Sequence, residues 1–370
     1  MLKRMNRVRI CAINSAPVSS QSSSTSLTDN MVSSSSLVSQ LGLKAAVLVV
    51  VCLLLHGGGS GVAAKELCVD YYDHTCPNAY KIVQGVLVEA HKSDPRVFAS
   101  LIRLHFHDCF VLGCDGSLLL NTFPGFESEK DAVPNNNSAR RYDVVDAAKA
   151  SLERACPGVV SCADILALAA EISVQLSGGP GWGVLLGRLD GRTSSKAQAE
   201  NLPGPFDSLK NLTDKFSAVN LDVTDLVALS GAHTFGRAKC LFVTNRLYNF
   251  SGTNQPDPTL NPAYRAFLSA RCPRNGDPNS LRDLDPTTPN TFDKNYFTNL
   301  ESNRGYLDSD QLLKSDPGAL RTTAPIVDRF AGSQDAFFKS FALSMIKMGN
   351  ILPITDPSRG EIRKHCAFVN

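Results

Sequence analysis

A mainly α-helical fold with few short strands is predicted, and three observations predict it. Apolar residues recur at helical spacing through most of the chain, Pro/Gly/Asn-rich turns divide these stretches, and strand signals are few and short. Asn78–Lys92 comes first, with Ile82, Val83, Val86, Leu87 and Ala90 on one face. Pro95–Asp108, Arg141–Ala155, Ser161–Leu176, Phe206–Val219 and Val223–Leu229 follow. Lys239–Tyr248, Pro262–Ala270, Asp293–Ser302, Pro317–Ala324 and Ser333–Met348 complete the set. No internal repeat interrupts the series.

Length allows one large or two modest domains, and composition is that of an ordinary globular protein preceded by a different kind of segment. The 370 residues are 43% hydrophobic and 19% charged, with a net charge of +2. Residues 1–64 hold five Lys/Arg and one acid; taking these from totals of 37 and 35 leaves 32 and 34, a net charge of −2 for residues 65–370. No basic face argues for nucleic acid. Residues 15–40 are Ser-rich and read as disordered. The run Ala45 to Leu55 is apolar but short for a membrane span, and small residues ending in Val62-Ala-Ala64 follow it. That is the pattern of a secretory signal, cleaved after Ala64, with Met31 as a start of more usual signal length. An uncleaved anchor is the rival reading. The expected division is therefore 1–64, extension plus signal peptide, and 65–370, the folded domain.

The densest chemistry lies in Arg103-Leu-His-Phe-His-Asp-Cys-Phe110. In a helix Arg103 and His107 share one face. An imidazole that can take a proton, beside a guanidinium that never gives one up, suits a reaction moving protons while negative charge builds on oxygen. Immediately after, Asp108, Asp115 and Ser117 offer side-chain oxygens, and Val111 and Gly113 can turn backbone carbonyls to the same point. Hard oxygen donors of this kind suit calcium, although the spacing is not that of an EF-hand and an ordinary Asp/Gly/Ser turn is the bland alternative. Cys109 and Cys114 could close a small loop around them.

Arg103-x-x-Phe106-His107-Asp108-Cys109, followed by Gly113-Cys-Asp115-x-Ser117, closely resembles the secreted plant haem peroxidases of class III. The resemblance runs over residues 66–370 and includes Val160-Ser-Cys-Ala-Asp-Ile165, Gly178-Gly-Pro-x-Trp182, Asn201-Leu-Pro203, Leu229-Ser-Gly-Ala-His-Thr-Phe-Gly236, Ser309-Asp-Gln311 and Met348-Gly-Asn350. It implies a two-lobed fold with one haem b between distal and proximal lobes. His107 is then the distal base, Arg103 the charge stabiliser, Asn135 the amide that orients His107, and Phe106 the wall beside the iron. His233 is the axial iron ligand, with Asp310 behind it. Glu129 links the distal network to the first calcium, held by Asp108, Val111, Gly113, Asp115 and Ser117. A second calcium falls to Thr234, Asp285, Thr288, Thr291 and Asp293. The Pro203 carbonyl receives a phenolic donor, and Phe206 and Phe242 line the haem edge. His105 is given no role beyond structure.

The resemblance also implies the disulfides Cys76–Cys156, Cys109–Cys114, Cys162–Cys366 and Cys240–Cys272, leaving Cys68 outside those pairs and pointing to an oxidising compartment. The implied function is a secreted peroxidase, in the cell wall, the apoplast or the vacuole. It reduces hydrogen peroxide and oxidises phenolic donors one electron at a time, in the context of oxidative stress. It is expected to be a monomeric glycoprotein, off the membrane once its signal is cleaved. Sequons begin at Asn136, Asn211 and Asn249; Asn136 is expected inside a buried polar segment and unused. Some positions depart from the family: Leu112 replaces Asn, Leu189 an arginine, Arg141-Tyr142 a Gly-Phe pair, and Lys239 a Gln that meets a haem propionate. A binding protein that kept this fold without catalysis would be expected to lack Arg103, His107 or His233, and all three are present.

Overall fold

Helices supply almost all the regular structure of the computed structural model, which describes residues 66–123 and 125–370. The Ser-rich stretch, the apolar run, the cut after Ala64, Cys11 and Cys52 lie outside the described residues. Helix α1 is Ala79–Ser93, α2 Val97–Cys109, α3 Tyr142–Ala155 and α4 Cys162–Leu176, each within two residues of its predicted bounds. Every residue of α4 from Cys162 to Val174 is buried. A helix buried on every side belongs in the middle of a fold, and α2 lies along it with α1 and α3 beside it. Ser161 starts α4 by accepting the Asp164 N–H at 3.2 Å. Its buried Asp164 is satisfied by Tyr72 at 2.7 Å and Arg188 at 2.8 Å.

The C-terminal part holds α5 (Lys196–Ala199), α6 (Leu209–Ser217), α7 (Val223–Ser230), α8 (Thr244–Tyr248), α9 (Pro262–Arg271), α10 (Asn295–Glu301), α11 (Asp308–Ser315), α12 (Ala324–Gly332) and α13 (Gln334–Met348). Strand β1 (Arg237–Lys239) pairs antiparallel with β2 (Leu281–Asp283), Arg237 opposite Asp283. Two predicted helices are corrected here. Residues 239–248 are the end of β1, a 3-10 turn at Cys240–Phe242, and the short α8. Residues 317–324 are a 3-10 turn at Pro317–Arg321 that ends before α12.

One aromatic cluster decides where the proximal segment sits. Phe292, Phe297, Phe330, Phe337 and Phe341 pack edge-on and stacked in the main core. Helix α7 leads into a 3-10 turn, Gly231–Thr234, pressed onto that cluster. A Cβ on Gly231 would stand 2.5 Å from Phe337 and 2.8 Å from Phe297, so only glycine lets the turn approach this closely. A smaller core around Val243, Leu247, Leu260, Tyr264 and Leu268 encloses the Cys240–Cys272 bridge.

The four disulfides pair as the resemblance implied: Cys76–Cys156, Cys109–Cys114, Cys162–Cys366 and Cys240–Cys272. Cys68 is buried, exchanges backbone hydrogen bonds with Leu186, and has a disulfide of its own. Among the described residues no helix is long and apolar enough to cross a membrane.

Candidate active site

Helix α2 carries the distal residues. Leu101, Leu104, His105 and Asp108 are buried, whereas Arg103 and Phe106 keep part of their surface open. Arg103 Nε donates to His107 Nε2 at 3.1 Å, and a second guanidinium nitrogen donates to the Pro134 carbonyl at 2.8 Å. Arginine can only donate, so Nε2 holds a lone pair and the ring proton sits on Nδ1. Nδ1 lies 2.5 Å from Asn135 Oδ1, and Asn135 Nδ2 donates to the Glu129 carbonyl at 2.7 Å, which fixes the amide orientation. Burial, reinforced by the Arg103 charge, holds His107 well below the usual imidazole range.

The segment that anchors both side chains is itself tied down. Val133 N donates to both Glu200 carboxylate oxygens, at 3.1 and 3.2 Å, and Ser195 N donates to the Glu129 carboxylate at 3.1 Å. Glu200 was not foreseen: a glutamate before Asn-Leu-Pro has no sequence signal for a contact 67 residues away. Asn136 is corrected too, since its side chain is exposed beside the buried Asn135.

His233 lies in the 3-10 turn after α7. Its Nδ1 is 2.8 Å from Asp310 Oδ1 on α11, and its Nε2 makes no hydrogen bond among the described residues. Burial works against charging this ring, but the Asp310 charge and hydrogen bond outweigh it and raise His233, with Arg103 pulling the other way. The Arg103 charge is thus felt at His233. His233 sits deep in the protein, yet 41% of its side chain remains accessible. A partly accessible imidazole with one nitrogen held by a carboxylate and the other free of protein hydrogen bonds among the described residues fits an axial ligand. Tyr296, not picked out from the sequence, also donates to Asp310 Oδ1, at 2.9 Å. In sequence it reads as one more aromatic beside Phe297.

The first oxygen cluster assembles after α2. Asp108 accepts from Gly116 N at 2.9 Å and Leu118 N at 3.3 Å, Asp115 accepts from Ser117 N at 3.0 Å, and the Gly113 carbonyl accepts from Asp115 N at 2.9 Å. Gly113 has φ +101°, and a Cβ there would lie 2.7 Å from the Leu352 carbonyl. Val111 is half-buried beside them. Burial first, then the Asp115 and Glu129 charges, raises Asp108 well above the usual carboxylate range. Ser117 Oγ and Glu129 Oε2 are buried without a hydrogen-bond partner. Orphaned oxygens and crowded carboxylates are what a hard cation resolves, so this donor set fits calcium.

The second cluster brings Thr234, Asp285 and Asp293 together: Thr234 Oγ1 is 3.4 Å from Asp285 and 3.3 Å from Asp293. Thr288 joins through Asn295, whose Nδ2 donates to Thr288 Oγ1 at 3.1 Å and Asp293 at 3.3 Å. Thr291 N donates to the Thr288 carbonyl at 3.1 Å. Burial and the Asp293 charge raise Asp285. On the rim, Pro203 is half-buried, and Phe206 and Phe242 stand 6.1 Å apart, Phe206 being exposed. The Pro205 carbonyl accepts Ser309 N at 3.2 Å, linking this rim to α11.

His105, buried below the site, is driven down to about 3 by burial and by Arg188. It approaches Cys109 and Cys114, whose sulfurs are spent in their disulfide, so the trio is no metal site.

A peroxidase family model matches residues 83–333. Peroxidase 15 of Ipomoea batatas is 58% identical over 307 residues, 82% of this chain and 93% of its own. Peroxidase 54 of Arabidopsis thaliana is 55% identical over 311 residues, 84% and 86% of the two chains. Peroxidase 22, also of Arabidopsis thaliana, is 51% identical over 325 residues, 87% and 91%. The chain belongs to the peroxidase family, among the plant haem peroxidases of class III. It is an oxidoreductase that uses hydrogen peroxide together with a reducing substrate, and haem is its cofactor.

Proposed function

We propose that the chain is a secreted, monomeric peroxidase that oxidises small phenolic donors with hydrogen peroxide, using haem b and two calcium ions. The observation carrying this reading is a pair of partnered imidazoles, His107 accepting from Arg103 at Nε2 with Asn135 at its Nδ1, and His233 backed by Asp310. His233 Nε2 would hold the iron. When bound, the haem supplies a metal that takes peroxide and accepts its oxidising equivalents.

The side chains do the rest. His107 Nε2 takes a proton from peroxide, in the place the Arg103 N–H now occupies. The same nitrogen returns the proton to the departing oxygen, turning it into water. Arg103 meets the negative charge that develops as the O–O bond breaks. Asn135 keeps the Nδ1–H tautomer, so that Nε2 stays the base. Phe106 walls the distal face and leaves electron transfer to the rim, where the Pro203 carbonyl accepts a phenolic O–H between Phe206 and Phe242. Asp108, Val111, Gly113, Asp115 and Ser117 hold one calcium beside the Glu129 end of the distal network. Thr234, Asp285, Thr288, Thr291 and Asp293 hold the other, one peptide bond from His233. The four disulfides agree with an extracellular site of action.

Purified holoenzyme tests this with guaiacol and peroxide. Turnover that collapses in His107→Ala while haem stays bound supports the reading. Wild-type turnover in that variant, or purified chain that binds no haem, ends it.

A further inference from the structure

Asp310 Oδ1 accepts two hydrogen bonds, from His233 Nδ1 at 2.8 Å and from Tyr296 Oη at 2.9 Å. Both donors point at the same atom. Asp310 and Tyr296 are each 3% exposed, so bulk water does not compete for that oxygen. The His233 and Tyr296 rings meet edge to face, with centroids 6.3 Å apart. Tyr296 is held by α10, where its neighbour Asn295 bonds Asp293 and Thr288 of the second oxygen cluster.

We propose that Tyr296 is a positioning residue that sets the electron donation of His233 by sharing its carboxylate partner. The proposal rests on the reading of His233 as the iron ligand. A carboxylate oxygen receiving a phenolic O–H has less charge to offer an imidazole N–H, because the two charge-assisted bonds draw on one atom. The acceptor behind a ligating histidine governs ligand basicity. With the phenol present, Asp310 pulls moderately on the Nδ1 proton. With it removed, Asp310 pulls harder, the ring gains imidazolate character, and ferric iron is favoured over ferrous. Tyr296 thus limits a push that Asp310 alone would make larger. The phenol also keeps the carboxylate from turning, so the Asp310–His233 bond holds its direction.

The test uses full-length holoenzyme and two readouts, the ferric/ferrous midpoint potential by spectroelectrochemistry and the iron–histidine stretch of the ferrous form by resonance Raman. Tyr296→Phe removes one oxygen and keeps the ring. It is expected to shift the potential to more negative values and the stretch to higher frequency. Asp310→Asn should shift both the opposite way, and in that background Tyr296→Phe should have lost most of its effect, because the phenol acts through the carboxylate.

Biosynthetic replacement of tyrosine by 3-fluorotyrosine strengthens the phenolic donor without cutting the side chain, and should move the wild-type potential upward but not that of Tyr296→Phe. If Tyr296→Phe fails to fold, the wild-type shift is read alone, and an unchanged or lowered potential in the fluorinated wild-type protein overturns the proposal. An unchanged or more positive potential in Tyr296→Phe, or an undiminished shift in the Asp310→Asn background, overturns the proposal. If Asp310→Asn moves neither readout, the assignment of His233 as iron ligand fails instead, so the two failures are told apart.

Discussion

Arg103 Nε and His107 Nε2 lie 3.1 Å apart across one turn of α2. The contact makes the imidazole an acceptor at Nε2, the atom that takes the peroxide proton in the proposed mechanism, and burial together with the Arg103 charge keeps the ring neutral. A base that stays neutral well below its ordinary value works without change through the neutral range. The rate of peroxide cleavage, followed by stopped-flow absorbance, should be flat from pH 8 to 6 and fall only in acid. His107→Ala should slow it by about 10²–10⁴. Removing the guanidinium with Arg103→Leu removes one of the two depressing causes. The acid limb should then move to higher pH, alongside a lower plateau. An acid limb that stays put would show that Arg103 does not depress His107.

The distal oxygen cluster makes a calcium prediction whose sign follows from its carboxylates. Burial pushes Glu129 up to about 7, with the Asp115 charge adding to the rise. A carboxyl raised in the folded state contributes stability that is full below its unfolded value, near 4.3, and lost as pH rises through about 7. Asp108 and Asp115 are raised in the same direction. Calcium takes the ionised forms, so its stabilisation grows as they ionise. Chelator-treated holoenzyme should lose melting temperature between pH 5 and pH 8, and added calcium should restore more at pH 8 than at pH 5. An equal gain at both pH values would refute the assignment of these carboxylates.

How much of this was readable beforehand depended on whether the determinant was local. Ser161, Pro262 and Ser333 mark helix starts by their own chemistry, and α4, α9 and α13 begin within one residue of them. Residues 239–248 have helical spacing, but the β1–β2 pairing and the Cys240–Cys272 bridge claim their first half, and both partners lie far along the chain. Helix α12 was hidden by Pro325, which reads as a stop but stands in the first turn, where its missing N–H costs nothing. His107, Arg103 and His233 sit in dense motifs. Tyr296 and Glu200 do not, because each acts on a partner brought near only by folding.

Arg141 is an example of a family departure with a physical cost and a visible return. It adopts φ +73° at the start of α3, a conformation that suits the glycine it replaces. In return its guanidinium bonds Asp94 at 2.8 Å and Asp143 at 3.2 Å, and Arg140 joins Asp94 at 2.7 Å. Burial raises Asp94, but these two arginines outweigh it and hold the carboxyl below its usual range. Salt screens the ion pairs and leaves the backbone strain, worth roughly 1–2 kcal/mol, untouched. The melting temperature of Arg141→Gly relative to wild type should therefore climb as sodium chloride is raised from 0.02 to about 0.5 M, the span over which screening sets in. A difference independent of salt would mean that the ion pairs do not offset the strain. Because Asp94 is depressed, its share of stability is present above about pH 4 and fades as pH falls, so the variant should also gain on wild type in acid.

Glu200 holds the turn segment on which Arg103 and His107 depend. It accepts the Val133 N–H with both oxygens, at 3.1 and 3.2 Å, although Val133 itself is 79% exposed. The next two residues supply the Pro134 carbonyl for Arg103 and the Asn135 amide for His107. Glu200→Ala releases the first link of that segment and leaves the Arg103, His107 and Asn135 side chains in place. An intramolecular hydrogen bond is worth about 0.5–1.5 kcal/mol, which, if expressed at the distal pair, slows peroxide cleavage by about twofold to tenfold. Glu200→Gln keeps an acceptor oxygen and should recover most of the rate. The donor-oxidation step, measured separately at saturating peroxide, should change less than peroxide cleavage in both variants. A larger loss in donor oxidation than in peroxide cleavage would place Glu200 in donor binding rather than in holding Arg103 and His107.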